Sequence, residues 1–325
     1  MKTDTVSSLP DIVSMEAVLQ AQRNIASYAH RTPVITCESL NEIVGHNLFF
    51  KCENFQKTGA FKFRGAINAI SNLNETERAK GVVTHSSGNH AGALAAAAKR
   101  FGIDAYIVMP SNASRVKKAA VLEYGATVIE CEPTFKSRIE ESARVHLETG
   151  ANMISPFNHP DVIAGQGTVA IEFHDQVPNL DIITTPIGGG GLTSGTCIAT
   201  SHLKPNCKVV GVEPEAVNDA FRSRQSGKME VNETTDTIAD GLKTNMGDLT
   251  WPYIRDAVAK VVTVTDEEIV VAMKLMFERT KMLVEPSSAV GLAAAMDSRM
   301  ADVSSRKNIG IVISGGNVDL GNLPW

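Results

Sequence analysis

From about Gly81 the chain alternates short β-branched runs with longer alanine-rich or amphipathic stretches, and this alternation constrains the fold more than any other feature. GVVTH precedes NHAGALAAAAKRFG, AYIVMP precedes SRVKKAAVLEYG, and TVIECE precedes a helical stretch over 135–147. A strand-like 151–154 and a helix over 162–174 follow. DIITTPI, a glycine run, CKVVGVEPE, two late helices near 266–281 and 287–296, and the strand NIGIVISGG then repeat the theme. Strands joined by crossover helices predict parallel sheets in a doubly wound α/β architecture. A length of 325 residues exceeds what one core usually supports, so two domains or one large unit are expected. No short repeat or low-complexity tether interrupts the pattern, which places any domain boundary inside ordered structure.

A net charge of -5 without a local run of Lys and Arg leaves nothing to neutralise a phosphate backbone, so nucleic acid is not an expected partner. MKTDTVSSLPD lacks an apolar leader core, and the longest small-apolar stretch, 93–98, is too short to span a bilayer. A cytoplasmic protein with no membrane association is expected. The five cysteines, Cys37, Cys52, Cys131, Cys197 and Cys207, form no C-x-x-C pair and read as reduced thiols.

Ligands of open α/β sheets sit where strands hand over to helices, and three such loops carry unusual residues: His85 to His90, Gly188 to Gly191, and Ser314 to Asn317. Gly188, Gly189, Gly190 and Gly191 follow DIITTPI and precede a helix, so their N–H groups can turn toward an anion such as phosphate. A flexible turn, a dinucleotide site or an oxyanion hole would also use such a run. SSGNHAGAL brings Ser86, Ser87, Asn89 and His90 to a strand end, where hydroxyl, amide and backbone donors can converge on a carboxylate. An ordinary N-cap explains one of these residues but not the cluster. Lys62 lies at an apparent helix start between Phe61 and Phe63, an apolar setting that lowers an amine pKa toward nucleophilic reactivity. A solvated helix lysine is the bland alternative, and Lys57 competes without comparable neighbours.

Taken in order, CENFQKTGAFKFRGA, SSGNHA, AGQGT, GGGGL, VEP, TIADG and SGGN resemble the fold-type II pyridoxal 5′-phosphate (PLP) family of serine/threonine dehydratases and serine racemases, across residues 31–319. The resemblance implies a tryptophan synthase β-like fold of two doubly wound three-layer domains with mostly parallel sheets. The large domain would take residues 1–79 and 153–325, the small one 80–152. Lys62 matches the lysine that carries the cofactor as a Schiff base and later acts as a base on one face of Cα. Phe61 would pack on the pyridine ring, Asn89 would bond its 3′-oxygen, and Gly188 to Gly191 with Leu192 would hold the phosphate. Ser314 matches the partner of the ring nitrogen. A hydroxyl there makes a weaker electron sink than a carboxylate would, which favours racemisation and β-elimination over transamination.

Racemisation needs a second acid–base group opposite the lysine, and Ser87 is the candidate. Plain threonine dehydratases commonly read SAGNH at this point, whereas serine racemases read SSGNH, as do hydroxyaspartate dehydratases; an N-cap role for Ser87 also fits. The resemblance therefore implies interconversion of L- and D-serine with elimination to pyruvate and ammonia. A dehydratase of threonine or 3-hydroxyaspartate is the alternative, and a non-catalytic binding protein of the same fold is opposed by Lys62, Ser87 and Ser314. VEPEAVNDAF resembles the racemase-type metal site, with Glu213, the Val217 carbonyl and Asp219 as oxygen ligands to Mg²⁺ or Ca²⁺. Arg138 aligns with an arginine near the substrate, although a salt-bridged helix arginine would read the same way. Gly92 stands where the family often has the glutamine of a nucleotide site, so ATP activation is not expected. Phe157 replaces a polar residue of the vertebrate-like pattern. A homodimer is the family expectation, and with the SGGN motif close to Trp325 feedback control by isoleucine is not expected.

Overall fold

The strand–helix alternation is realised in two sheets. The computed structural model describes residues 9–113, 115–297, 299–300 and 305–325; the leader expectation rests partly on residues 1–8, outside that set. The first third of the chain carries α1 (Met15–Ile25), β1 (Val34–Ile35), α2 (Glu38–Val44), β2 (Asn47–Cys52), α3 (Lys62–Asn72) and α4 (Glu75–Ala79). The middle carries β3 (Val82–His85), α5 (Asn89–Phe101), β4 (Ala105–Pro110), α6 (Arg115–Glu123), β5 (Thr127–Cys131), α7 (Phe135–Thr149), β6 (Asn152–Met153) and α8 (Pro160–Gln176). Then come β7 (Ile182–Pro186), α9 (Gly191–Leu203), β8 (Lys208–Pro214), α10 (Asp219–Ser226), α11 (Trp251–Asp256), β9 (Lys260–Val264), α12 (Asp266–Thr280), α13 (Pro286–Ala295) and β10 (Asn308–Ile313).

The larger sheet has the order β1-β2-β10-β7-β8-β9, parallel throughout except for β1; the smaller is a parallel β5-β4-β3-β6. β10, last in sequence, lies between β2 and β7, with Ile313 beside Cys52 and Ile311 beside Thr184. Because these three strands run the same way, the segments that leave Cys52, Pro186 and Ile313 emerge together at one edge. They carry Lys62, the glycine run and Ser314.

Packing around this edge explains two of the motifs. α13 reads PSSAVGLAAA and is buried over its whole length, as a helix apolar on all sides must be. The AGQGT string lies on α8, and a Cβ on Gly165 would come within 2.6 Å of the Gly65 Cα. That motif permits close helix crossing and contributes no chemistry. Two residues after Lys62, the fully buried Arg64 donates to Glu53 at 2.7 Å and to Glu172 at 2.7 Å, while Lys51 donates to Glu172 at 2.6 Å. Four buried charges neutralise one another and tie β2, α3 and α8 into one frame under the lysine.

Candidate active site

A cavity of about 390 Å³ opens at the shared strand edge, lined by Lys62, Ser87, Asn89, Gly189, Glu285 and Ser314 among others. Phe61, Ser86, His90, Arg138, Gly188, Gly190, Gly191 and Leu192 reach it as well. Glu213, Val217 and Asp219 do not line it.

The glycine run leads into α9, which begins at Gly191 with Gly190 as its N-cap. Among the described residues no acceptor is found for the N–H groups of Gly188 to Leu192. Gly190 has φ +86, and a Cβ on Gly189 would fall 2.0 Å from the Phe157 ring, so the loop cannot carry side chains there. Thr250 Oγ1 donates to the Gly189 carbonyl at 2.7 Å, holding that oxygen on the protein side. Free amides at a helix N-terminus form a built anion cradle.

Lys62 opens α3, and its Nζ donates to the Pro156 carbonyl at 2.6 Å while lying 5.0 Å from the centre of the Phe61 ring. Burial lowers its pKa to about 8 against the opposing pull of Glu285. Lys57, the competing lysine, instead lies over the Phe63 ring.

β3 ends at His85 and α5 begins at Asn89, and the loop between them lines the same cavity. Ser86 Oγ accepts from Gly88 N at 3.3 Å, and Ser87 has no hydrogen-bond partner among the described residues. Asn89 Nδ2 donates to both Glu285 oxygens, at 2.9 and 3.0 Å, while its Oδ1 accepts from Asn317 Nδ2 at 2.9 Å. Its amide is therefore fixed with the N–H side toward the cavity acid. His90 Nε2 lies 3.2 Å from the Ile154 carbonyl and must donate to it, and burial followed by the Lys62 charge lowers the ring to about 3. Its buried Nδ1 thus offers only a lone pair, so what His90 can give a carboxylate is its backbone N–H. Arg138 arrives from α7 and acts on His85, whose pKa falls through burial first and the Arg138 charge second.

Two site residues escape a reading of the sequence. Glu285 sits in a second VEP tripeptide, at the N-cap of α13, and Ser288 is one turn on. Repetition of VEP from 212–214 at 284–286 was the available signal. Burial raises Glu285 to about 7 against the Asn89 hydrogen bond. A carboxyl whose pKa is higher folded than unfolded binds more protons in the folded state, so it costs stability as pH rises from the unfolded value through the folded one. Ligand-free wild type is expected to lose on the order of 3 kcal/mol relative to Glu285→Gln between about pH 4.5 and 7, at 1.36 kcal/mol per unit. Urea unfolding of both proteins across that window checks it; parallel profiles would contradict it.

Glu213 and Asp219 lie together elsewhere, buried against α10. Glu213 accepts from Ala220 N at 3.1 Å and Phe221 N at 2.9 Å; Asp219 accepts from Met246 N at 2.7 Å and Asn232 Nδ2 at 2.8 Å. Burial, then each other's presence, pushes Glu213 well above the carboxylate range, and burial raises Asp219. Among the described residues no group of three or more His, Cys, Asp or Glu side chains is placed to hold a metal. No helix among them is long and apolar enough to cross a membrane, and all five cysteines are free thiols.

Residues 25–315 match the family described as pyridoxal-phosphate dependent enzyme. A serine racemase of Arabidopsis thaliana is 51% identical over 316 residues, covering 96% of this chain and 95% of that one. A beta-hydroxyaspartate dehydratase of Paracoccus denitrificans is 46% identical over 314 residues, covering 97% and 99%. The solved structure of maize serine racemase superposes with a TM-score of 0.93 at 48% identity, covering 95% of each chain.

Proposed function

Because the chain belongs to the pyridoxal-phosphate dependent enzyme family, we propose that it interconverts L- and D-serine and also eliminates water from serine to give pyruvate and ammonia. The observation that carries this is the placement of Lys62 and Ser87 in one cavity with an N–H cradle free for a phosphate. PLP, when bound, withdraws electrons from the substrate's Cα and acidifies its proton.

The chain's own residues do the rest. Gly188 to Leu192 would hold the phosphate, Phe61 would pack on the ring, an Asn89 N–H now given to Glu285 would pass to the ring oxygen, and Ser314 would meet the ring nitrogen. Lys62 would carry the cofactor on Nζ and would take the Cα proton; a pKa near 8 keeps its neutral amine available close to neutral pH. Ser86, Asn89 and the first amides of α5 receive the substrate carboxylate, with Arg138 beside it. Ser87 exchanges a proton at the other face of Cα, which inverts the centre; without that exchange, loss of the β-hydroxyl is the competing outcome. Chiral product analysis with L-serine, D-serine, L-threonine and 3-hydroxyaspartate tests the reading, and absence of the opposite serine enantiomer from every serine reaction overturns it.

The second reading, a 3-hydroxyaspartate dehydratase, is supported by the Paracoccus relative and by Lys117, Arg138 and Lys243 on the cavity wall, which suit a second carboxylate. A higher kcat/KM for hydroxyaspartate than for serine would select it.

A divalent cation, Mg²⁺ or Ca²⁺, fits Glu213, Asp219 and the Val217 carbonyl. Two buried carboxyls in contact need a neutralising charge, and Asn232 Oδ1 beside them is buried without a partner. Saturating Mg²⁺ is expected to stabilise the protein by about 3 kcal/mol at a hundredfold excess over Kd. Chelator should reverse the rise in melting temperature, and Glu213→Gln should abolish it; a melting temperature blind to both ions and chelator removes the site.

The same reading takes the chain as a cytoplasmic homodimer, with Gly92 in place of the family's glutamine arguing against activation by ATP. Its large domain comprises residues 1–79 and 153–325 and its small domain 80–152. The pairing of Lys117 with Asp240 at 2.6 Å joins the two at the cavity mouth.

A further inference from the structure

Thr250 stands at the N-cap of α11, where a threonine hydroxyl ordinarily accepts from a backbone N–H of its own helix, yet its side chain makes no such cap. The residue is fully buried. Its Oγ1 accepts from Gly247 N at 3.0 Å and lies 2.7 Å from the Gly189 carbonyl oxygen and 3.0 Å from that of Gly247. Both carbonyls can only accept, so the hydroxyl proton goes to one of them. The Gly247 carbonyl already receives Thr250 N at 3.2 Å and Trp251 N at 2.9 Å, which fill its two lone pairs. Among the described residues the Gly189 carbonyl otherwise accepts only from Gly247 N, at 3.4 Å, so the proton belongs to Gly189. A trans peptide holds its C=O and the following N–H in opposite directions, and no cis bond occurs among the described residues. With the Gly189 oxygen held by Thr250, the Gly190 N–H points the other way, toward the cavity that Gly190 lines and Thr250 does not.

We propose that Thr250 is a positioning residue for the phosphate cradle: its hydroxyl locks the Gly189–Gly190 peptide so that the Gly190 N–H is presented to the cofactor's phosphate. The inference rests on Gly188 to Leu192 as the phosphate site. Glycine makes the lock necessary, because Gly189 and the left-handed Gly190 carry no side chains whose packing could hold this peptide plane. The next peptide needs no such help. The Gly190 carbonyl accepts from Ser194 N at 2.9 Å, and this bond of the first turn of α9 sets the direction of the Gly191 N–H. Without the Thr250 hydroxyl, the Gly189 oxygen keeps only the long bond from Gly247. Turning that oxygen toward the cavity would then set a carbonyl dipole against the phosphate where an N–H had stood. One net hydrogen bond lost from the orientation of the cradle corresponds to about tenfold in affinity for the phosphate.

The test compares the dissociation constants of PLP and of pyridoxal, which lacks the phosphate, by equilibrium dialysis against the full chain stripped of cofactor. Thr250→Val, which exchanges the hydroxyl for a methyl of similar size, and Thr250→Ala are each expected to bind PLP about tenfold more weakly while binding pyridoxal as wild type does. Thr250→Ser restores a hydroxyl and should recover the wild-type preference for PLP. Equal losses for both ligands in the Val and Ala variants, or no loss for either ligand, overturn the inference, as does a Ser variant as impaired as Val. Wild type separates the two levels. If it binds pyridoxal as tightly as PLP, the cradle does not hold the phosphate and the underlying reading falls with the inference. If it prefers PLP strongly and the Val and Ala variants keep that preference, only the role of Thr250 is lost.

Discussion

Lys62→Ala is expected to slow both racemisation and elimination of serine by about 10⁴-fold, the upper range for loss of a positioned acid–base group, because the same Nζ both holds the cofactor and moves the Cα proton. The cradle at Gly188 to Leu192 does not depend on that nitrogen and should still bind PLP reversibly. The variant should therefore keep cofactor after mild dialysis, yet lose the visible absorbance of lysine-bound cofactor and the borohydride-trapped label on the peptide around residue 62. Absorbance that survives the substitution would show that another amine carries the cofactor. Lys57 is poorly placed for that, since its Nζ lies 5.9 Å from the Phe63 ring centre and outside the cavity lining.

Ser87→Ala is expected to reduce racemisation by about 10²- to 10⁴-fold while elimination from L-serine stays within a few-fold of wild type. The asymmetry follows from the two separate proton carriers proposed. Lys62 on α3 and the loop before α5 approach the cavity from different elements, so only one face of Cα loses its proton carrier. Ser87 stands just before the N-terminus of α5, where the helix dipole favours the anionic side of a hydroxyl's proton exchange. A serine that served only as an N-cap would lower the melting temperature and leave the ratio of the two reactions alone.

The fold class was legible because the alternation from Gly81 onward is local, and helices such as α12 and β-branched runs such as β7 emerge close to where the pattern puts them. β2 is harder to see, because Lys51 interrupts its apolar run and is held by the Thr32 carbonyl and by Glu172 and Gln176, which lie 121 and 125 residues away in sequence. The insertion of β10 between β2 and β7 is equally non-local, yet it brings Lys62, the glycine run and Ser314 to one edge. Loop motifs pointed to residues that line the cavity, because several of them in one order narrowed what each glycine run or hydroxyl cluster alone left open. Glu285 and Ser288 stayed hidden because VEPSSAVGLAAA reads as the start of an apolar helix, and their partners Asn89 and Ser314 come from distant loops. The direction of the His90 proton depends on the Ile154 carbonyl, 64 residues away, which no local pattern reveals.

The most direct measurement is the fate of the Cα hydrogen when L-serine is incubated with the holoenzyme in D₂O and the recovered serine is resolved into enantiomers. Wild type should yield D-serine deuterated at Cα, together with pyruvate. Ser87→Ala should yield pyruvate and deuterated L-serine with almost no D-serine, because Lys62 still exchanges the proton on its own face. D-serine formed by Ser87→Ala at the wild-type rate, or D-serine from wild type that retains the original hydrogen, would contradict a two-face exchange by Lys62 and Ser87.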